Sequence, residues 1–288
     1  MSTYQLQIKK MKLQLAVLFI SALLRESIAM PAVDHCLIKF EDSLKETMAL
    51  RRSCEEANLK DCCQIAEASK IIDNDNYTPG SGIYDISNVC RSTAAFTQDI
   101  FPSMQARCNM ESGDGGWTVL VKRTPDVDER VSFKRPWVEY ENGFGNLSGE
   151  FWYGLKNMHC LTSREPMEVE VEVSKTDGTK LVLSYGNFRV DGPSTSYTLH
   201  VSDKQDEGFD FSQHHNGIKF STLDRDNDQN PGSCSAIYNK VGNWFNNCYT
   251  MHLTGMPNPI LSSVYDYAEL RVRPKGCAAF GDEPDSCE

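Results

Sequence analysis

From Phe220 to Cys234 the chain reads Phe-Ser-Thr-Leu-Asp-Arg-Asp-Asn-Asp-Gln-Asn-Pro-Gly-Ser-Cys, its densest run of oxygen donors; Asn246-Asn247-Cys248 follows. Asp224, Asp226 and Asp228 alternate, so an extended or turning backbone can aim several carboxylates at one point. Such crowding becomes favourable only around a hard cation. The run is not an EF-hand. Gln229 stands where that loop needs glycine for its sharp turn, and Ser235 where it needs a bidentate glutamate. A solvated acidic turn is the competing reading, and on the run alone the two stand even.

Catalytic chemistry finds little support. The six histidines form no H-E-x-x-H pair, and neither a Gly-x-Ser-x-Gly elbow nor a phosphate-cradling glycine loop occurs. His214-His215 precedes Asn216-Gly217, a spacing that suits a structural turn better than an acid–base pair. Zinc is disfavoured because the cysteines lack paired C-x-x-C spacing.

The elements that must position these residues are mainly strands. Ile83–Ile86, Trp117–Lys122, Glu168–Val173 and Lys180–Leu183 are rich in β-formers. Glu168, Glu170 and Glu172 alternate with Val169, Val171 and Val173, and are expected to form a solvated strand face. Asn74 to Gly82 is a turn-rich entry to the first strand. Val33, Leu37, Phe40 and Leu44 begin a three-four spacing that suits either a short coiled-coil seam or a helix packed on its own domain. Cys36 and Cys54 favour chain-to-chain contact, hence a homo-oligomer.

Lys+Arg total 29 against 40 Asp+Glu, a formal charge of −11 over 288 residues. An acidic surface excludes nucleic acid and anionic membranes as natural partners and suits cation binding. Leu13 to Leu24 is largely apolar, follows Lys9, Lys10 and Lys12, and leads to Ser27-Ile-Ala29, so residues 1–29 read as a secretory signal peptide. That run is too short to span a membrane and no second long one exists. Eleven cysteines then imply disulfides in an extracellular protein. Asn76-Tyr-Thr78 and Asn146-Leu-Ser148 fit the N-glycosylation pattern. Asn76 lies in a surface turn that favours a glycan, whereas Asn146 sits where turn-building is the simpler role.

Four motifs occur in order: Gly115-Gly116-Trp117-Thr118-Val119; Trp137 to Gly154, containing Gly143-Phe-Gly-Asn-Leu-Ser-Gly-Glu-Phe-Trp152; His215-Asn-Gly-Ile-Lys-Phe-Ser-Thr-Leu-Asp-Arg-Asp-Asn-Asp228; and Tyr267-Ala-Glu-Leu-Arg-Val-Arg-Pro274. Together they resemble the fibrinogen C-terminal domain family, from about Asp61 to Pro274. The resemblance implies an α+β fold with a disulfide-bonded N-terminal subdomain, a mostly antiparallel central sheet, and a loop-rich subdomain that binds calcium and ligand. Residues 30–60 then form a short helical, oligomerising segment, 61–274 the domain, and 275–288 an acidic cysteine-containing tail. No Gly-X-Y run is present, so the ficolin architecture is not complete.

The resemblance pairs Cys62 with Cys108 and Cys234 with Cys248. Cys63, Cys90, Cys160, Cys277 and Cys287 depart from the basic pattern; Cys277 with Cys287 and Cys63 with Cys90 are the pairings considered. It also implies calcium held by the Asp226 and Asp228 side chains and the Asn230 and Gly232 carbonyls, with Asp224 behind them. In the lectins of the family a pocket beside this loop takes acetyl groups, with donors after a cis peptide that here would be Asn247–Cys248. Tyr238, Cys248, Tyr249 and Tyr265 fall in corresponding places. Tyr249 stands where the family has histidine, Asn243 where it has tryptophan, and Thr254–Tyr265 is shorter than the family segment, so one pocket wall is in question. The leading expectation is a secreted, calcium-dependent, lectin-like protein binding acetylated glycans on microbial surfaces in innate immunity. The alternative, in the manner of angiopoietin-like or tenascin members, is a protein-binding ligand or matrix factor that engages a receptor.

Overall fold

Strict alternation builds the centre of the molecule. Strand β6 (Met167–Ser174) buries Met167, Val169, Val171 and Val173 and leaves the intervening glutamates half-buried. The computed structural model describes residues 59–72, 80–86, 104–255, 258–260 and 263–277, all within one unit, Cys54–Glu288. Around β6 run β1 (Gly82–Ile86), β2 (Met104–Asn109), β3 (Trp117–Arg123), β7 (Lys180–Val190), β8 (Leu199–Lys204) and β11 (Tyr267–Pro274). Their order is β1-β2-β3-β11-β6-β7-β8, with every neighbouring pair antiparallel. β4 (Phe144–Gly145) pairs with β5 (Phe151–Trp152), which leans on β3. β9 (Asn258–Ile260) and β10 (Ser263–Tyr265) pair separately. The last strand thus sits at the middle of the sheet, which closes only when the C-terminal segment arrives. With five short helices among the described residues, this is the expected α+β class.

The three β6 glutamates do not form a solvated face. Arg271 on β11, only 2% exposed, reaches Glu170 (2.6 Å), Glu172 (3.1 Å) and Glu269 (3.1 Å). Arg273 pairs with Glu168, and both guanidiniums lie over Trp117. Cross-strand register sets Glu170 opposite Arg271 and Glu168 opposite Arg273, so pairing geometry, not solvent, satisfies the row.

Helix α1 (Cys62–Ile72) packs on β2, β3 and β11. Asp61 starts it, its carboxylate accepting from the Gln64 N–H (3.0 Å), and Cys62–Cys108 fastens it to β2 as the resemblance implies. The other expected pairings are corrected. Cys63 bonds Cys277, not Cys90, and Cys277 therefore does not pair with Cys287. The reason is topological: β11 returns to the sheet beside α1, which brings chain positions 214 apart to a Cα–Cα distance of 5.9 Å. Glu67 lies near both sulfurs, but a cystine has no thiolate to offer a metal. Cys160 is also disulfide-bonded, and its partner lies outside the described residues, as do residues 1–58, Asn76 and Cys90.

An aromatic cluster joins sheet to loops. Helix α2 (Trp137–Asn142) contributes Trp137 and Tyr140, which meet Trp152, Tyr197 and Phe220, and Trp244 joins through Trp152 and Phe220, all at centroid separations of 5.1 to 6.1 Å. Each buried polar tip but one is satisfied: Trp152 donates to the Tyr140 carbonyl, Trp244 to the Tyr197 carbonyl, and Tyr140 to the Phe133 carbonyl while accepting from Gly242 N–H. The Trp137 indole N–H is the exception.

Candidate functional site

Helix α3 (Leu155–Thr162) packs on β7, but residues 211–255 hold very little regular structure: α4 (Ser212–His215), α5 (Cys234–Ile237) and isolated bridges. Side-chain oxygens do the work that ladders do elsewhere. Asp228 accepts from the N–H groups of Asn230 (3.0 Å) and Cys234 (2.8 Å), one on each carboxylate oxygen. Asp226 accepts from Asp228 N–H (3.1 Å), and the Asn230 side-chain oxygen accepts from Gly232 N–H (2.9 Å). These bonds wind the loop so that the carboxylates of Asp226 and Asp228 are neighbours. Burial raises the Asp228 carboxyl above its ordinary range, and the adjacent Asp226 adds to this, against the donors of Cys234 and Asn230. Two adjoining carboxylates with amide oxygens beside them form a hard, oxygen-only donor set, which fits calcium and does not suit zinc.

Asp224 belongs elsewhere. Its carboxylate accepts from the Trp137 N–H at 2.9 and 3.2 Å and from the Thr222 hydroxyl at 2.7 Å. It caps the start of α2, and so ties the loop to the aromatic cluster.

The loop is stitched to the Asn246–Cys248 segment at three points. Cys234 bonds Cys248, as the resemblance implies; Gln229 N–H donates to the Asn246 carbonyl (3.0 Å); and Asn230 donates to the Asn247 side chain (2.5 Å). The Asn247–Cys248 peptide is cis, at the expected place. Beyond it, His215 fixes the following turn. Its Nδ1 donates to the Trp244 carbonyl (2.9 Å), and its Nε2 accepts the N–H groups of Thr250 (3.2 Å) and Met251 (3.1 Å). Two incoming donors require a neutral ring, and burial lowers its pKa to about 4. His215 is therefore a structural acceptor, in keeping with the turn reading of the His214-His215 pair.

Tyr238 and Tyr249 meet edge to face at 4.8 Å, and Tyr249 lies on His252 at 4.7 Å. His252 is 1% exposed, its pKa lowered to about 3 by burial, with His215 and then the charge of Arg123 adding to it, and its Nε2 has no partner among the described residues. Ile237, 58% exposed, and Tyr238, 37% exposed, stand out at the end of α5. Tyr265 does not share this contact: it is 7% exposed, inside the core, with the Lys175 ammonium over its ring. Asn243 bridges the back of the site, its amide donating to the Met251 carbonyl (3.1 Å).

Sequence reasoning passed over three positioning residues. Arg123 ends β3, is buried against Glu150, and donates to the Thr254 carbonyl at 2.9 Å, so it ties the short Thr254–Tyr265 segment to the sheet. Gly242 admits the Phe220 ring, which an added Cβ would meet at 2.8 Å. His252 backs Tyr249. The spacing around these residues carries no chemical signature, because their roles arise only when distant segments meet.

Two clefts are described, and neither is lined by Tyr238, Cys248 or Tyr249. One of about 390 Å³ includes Arg164, Arg189 and His200; the other, of about 380 Å³, includes Asp126, Asp128, Glu129 and Asn146.

Comparison with known proteins agrees with this architecture. Residues 81–261 match the family model of the fibrinogen beta and gamma chains, C-terminal globular domain. Human angiopoietin-related protein 1 is 35% identical over 191 residues, 66% of this chain and 35% of that protein. Bovine fibrinogen-like protein 1 is 34% identical over 206 residues, 67% of this chain and 61% of that protein. The chain thus spans about a third to three fifths of these relatives' length. Among solved structures, the fibrinogen-like globe domain of human ANGPTL2 is 29% identical at a TM-score of 0.62, with 75% of this chain and 99% of that one covered. With a matching family model over most of the chain and the expected sheet, cystines and loop in place, the chain belongs to the fibrinogen C-terminal globular domain family.

Proposed function

We propose that this is an extracellular recognition domain in which calcium-ordered loops present an aromatic surface to a protein partner. The observation that carries the reading is the exposed pair Ile237 and Tyr238 beside Tyr249, all fixed to the Asp226–Cys234 loop by the Cys234–Cys248 cystine. Exposed tyrosine and isoleucine on a rigid mount give contact area at low entropic cost, as protein interfaces use them. Tyr249 spends its ring faces on Tyr238 and His252, so the surface is a relief more than a cup. The curated relatives are angiopoietin-related and fibrinogen-like proteins, which favours the receptor-binding alternative over the lectin expectation.

Calcium would be held by Asp226 and Asp228, with the carbonyls of Asn230 and Gly232 beside them, and would supply charge neutralisation that locks the loop. Binding, not catalysis, is the activity supported, since His215 is committed to backbone donors. No described helix is long and apolar enough to cross a membrane.

A glycan reading retains one specific support, the Tyr238 and Tyr249 pair beside the Cys234–Cys248 cystine, where the resemblance sets an acetyl pocket. It would place acetylated sugars of microbial surfaces at the same loops, with chain oligomers supplying avidity. Binding of the tagged protein to cultured cells separates the two. A protein partner predicts calcium-dependent binding that Tyr238→Ala removes and that survives N-acetylglucosamine and enzymatic stripping of surface glycans. Competition by the sugar, with matching signal on a glycan array, would overturn that reading in favour of the lectin.

A further inference from the structure

Asn146 lies in a tight turn between β4 and β5, remote from the calcium loop in sequence. Gly145 precedes it at φ +95°, where an added Cβ would sit 2.4 Å from the Glu150 carbonyl oxygen, so the approach of the strands fixes the turn. Asn146 N–H donates to the Glu150 carbonyl (2.9 Å), and its own carbonyl accepts from Gly149 N–H (2.8 Å). Its side-chain oxygen accepts from Ser148 N–H at 3.0 Å. All the turn-building is thus done by the backbone and by Oδ1. The side chain is exposed, and Nδ2 meets no acceptor among the described residues. Turn-building and modification are therefore not rivals here, because an N-linked sugar leaves the amide oxygen free to accept.

We propose that Asn146 carries an N-linked glycan whose first sugar lies in the adjoining cleft. The cleft measures about 380 Å³, and Asn146 and Ser148 line one side of it. Asp126, Asp128 and Glu129 offer acceptors to the hydroxyl and amide hydrogens of a neutral amino sugar, while Val127 and Val131 give its methyl and ring hydrogens an apolar surface. The carboxylates would repel a free anion, which leaves a neutral polar occupant as the fitting class. Transfer occurs on the nascent chain: the Asn146 Nδ2 displaces pyrophosphate at the anomeric carbon of a polyprenyl-pyrophosphate-linked oligosaccharide. One N–C bond forms, the C–O bond to pyrophosphate breaks, Nδ2 gives up one proton, and the lipid pyrophosphate leaves. The folded domain then has only to accommodate the product, and an exposed amide at the mouth of a polar cleft does so. The proposal rests on the extracellular reading, which the cystines Cys62–Cys108, Cys63–Cys277 and Cys234–Cys248 support independently through the oxidising compartment they require.

The test uses the full chain secreted from cultured animal cells, with Asn76→Gln to leave one sequon. Glycosidase treatment in heavy-oxygen water should tag the peptide containing Asn146 as converted to aspartate. Asn146→Asp, which keeps the Ser148 acceptor, and Ser148→Ala, which keeps the asparagine, should each be secreted folded and lose the mobility shift. Hydrogen exchange at residues 126–131 should quicken once the sugar is removed from native protein. Secreted protein with Asn146 bare overturns the glycan, and unchanged exchange overturns its seat in the cleft. Failure of the extracellular reading looks different: protein kept inside the cell, with reduced cysteines and both sequons bare in the wild type, would sink both.

Discussion

The sheet and the 211–255 loops solve the same problem, satisfying buried polar groups, by opposite means. In β6 and β11 the backbone is held by ladders on both sides, and charged side chains pair across strands in a repeating row. In the loops the backbone is held by single side chains: Asp228 for Cys234, Asp224 for Trp137, His215 for Thr250 and Met251. A ladder tolerates loss of one rung because its neighbours remain. A loop held by individual acceptors loses its shape with any of them, but it can also carry a conformation that no repeating structure offers, such as the cis Asn247–Cys248 peptide. Recognition surfaces are drawn from the second kind of region.

The largest test of the contrast removes one cystine from each side. Replacing Cys63 and Cys277 with serine opens a loop of 214 positions, against 14 for Cys234 and Cys248. Chain entropy puts the losses at about 5 and about 3 kcal/mol respectively, the intact Cys62–Cys108 bond shortening the first loop with only a logarithmic effect. Denaturant unfolding reads both. The sharper difference is local: only the second pair should disturb the calcium response. Equal losses, or a calcium response that suffers with Cys63 and Cys277, would show that the two regions unfold as one body.

Next in size is Arg271→Ala, which strands Glu170, Glu172 and Glu269 around one buried gap. Burial works against the Arg271 charge, yet Glu170 and Glu269 raise its pKa, and Glu269 is held low against its own burial by the Asn109 amide and then by Arg271, so the cluster is cooperative. Breaking a buried pair in this way costs about 3–5 kcal/mol. Arg135→Ala, which removes an exposed pair with Glu139, should cost less than about 1 kcal/mol. A similar small effect from both would mean that solvent reaches the row after all.

How much of this could be read in advance follows the same division. Val169, Val171 and Val173 announce a strand because the period of two is a local property, and the motifs place Trp137, Trp152 and Phe220 of the shared aromatic core, while Trp244, which completes it, lies outside them. The alternating glutamates looked solvated because their partners, Arg271 and Arg273, lie about a hundred residues away and meet them only through register. The same distance hid Cys63–Cys277. At the site, Asp224, Asp226 and Asp228 look identical as an alternating run; the resemblance alone sets Asp224 apart, and what distinguishes it physically is that it faces Trp137. Tyr265 could not be told from Tyr238, since burial at 7% against 37% is decided by tertiary packing. His215 is legible as a turn residue but not as the acceptor of Thr250 and Met251, and His252 and Arg123 leave no signal, because the one acts through ring contacts and the other on a carbonyl of a distant segment.

Acid should separate the regions in order. His215 and His252 are both held below their ordinary value, to about 4 and about 3, chiefly by burial. The unfolded chain therefore binds more protons, and the stability these rings contribute is whole above about pH 6.5 and declines as pH falls toward the folded values. At about pH 5 each should have cost about 2 kcal/mol relative to neutrality. Amide exchange at Thr250 and Met251 should quicken before that at β6 and β11. His252→Leu, whose Nε2 has no bond to lose, should reduce the acid sensitivity by about one histidine's share. An acid slope unchanged in that variant would place the sensitivity outside the loops.

The smallest effect concerns the metal, and it bears on the loops alone. Calcium at ten times its dissociation constant would stabilise the domain by about 1.4 kcal/mol, seen as an upward shift in thermal melting. Asp226→Ala is the cleanest variant, because the backbone donor it frees among the described residues is the Asp228 N–H alone. Asp228→Ala also frees the Cys234 and Asn230 N–H groups, so it should lower the melting temperature without calcium as well as removing the shift. Asp224→Ala should do the reverse: lower stability through Trp137 and Thr222 while keeping the calcium response. This pattern distinguishes donor from anchor within one run of three aspartates. A calcium shift that persists undiminished in both Asp226→Ala and Asp228→Ala would remove the metal from the loop, and with it the reason for treating this region as an ordered recognition surface.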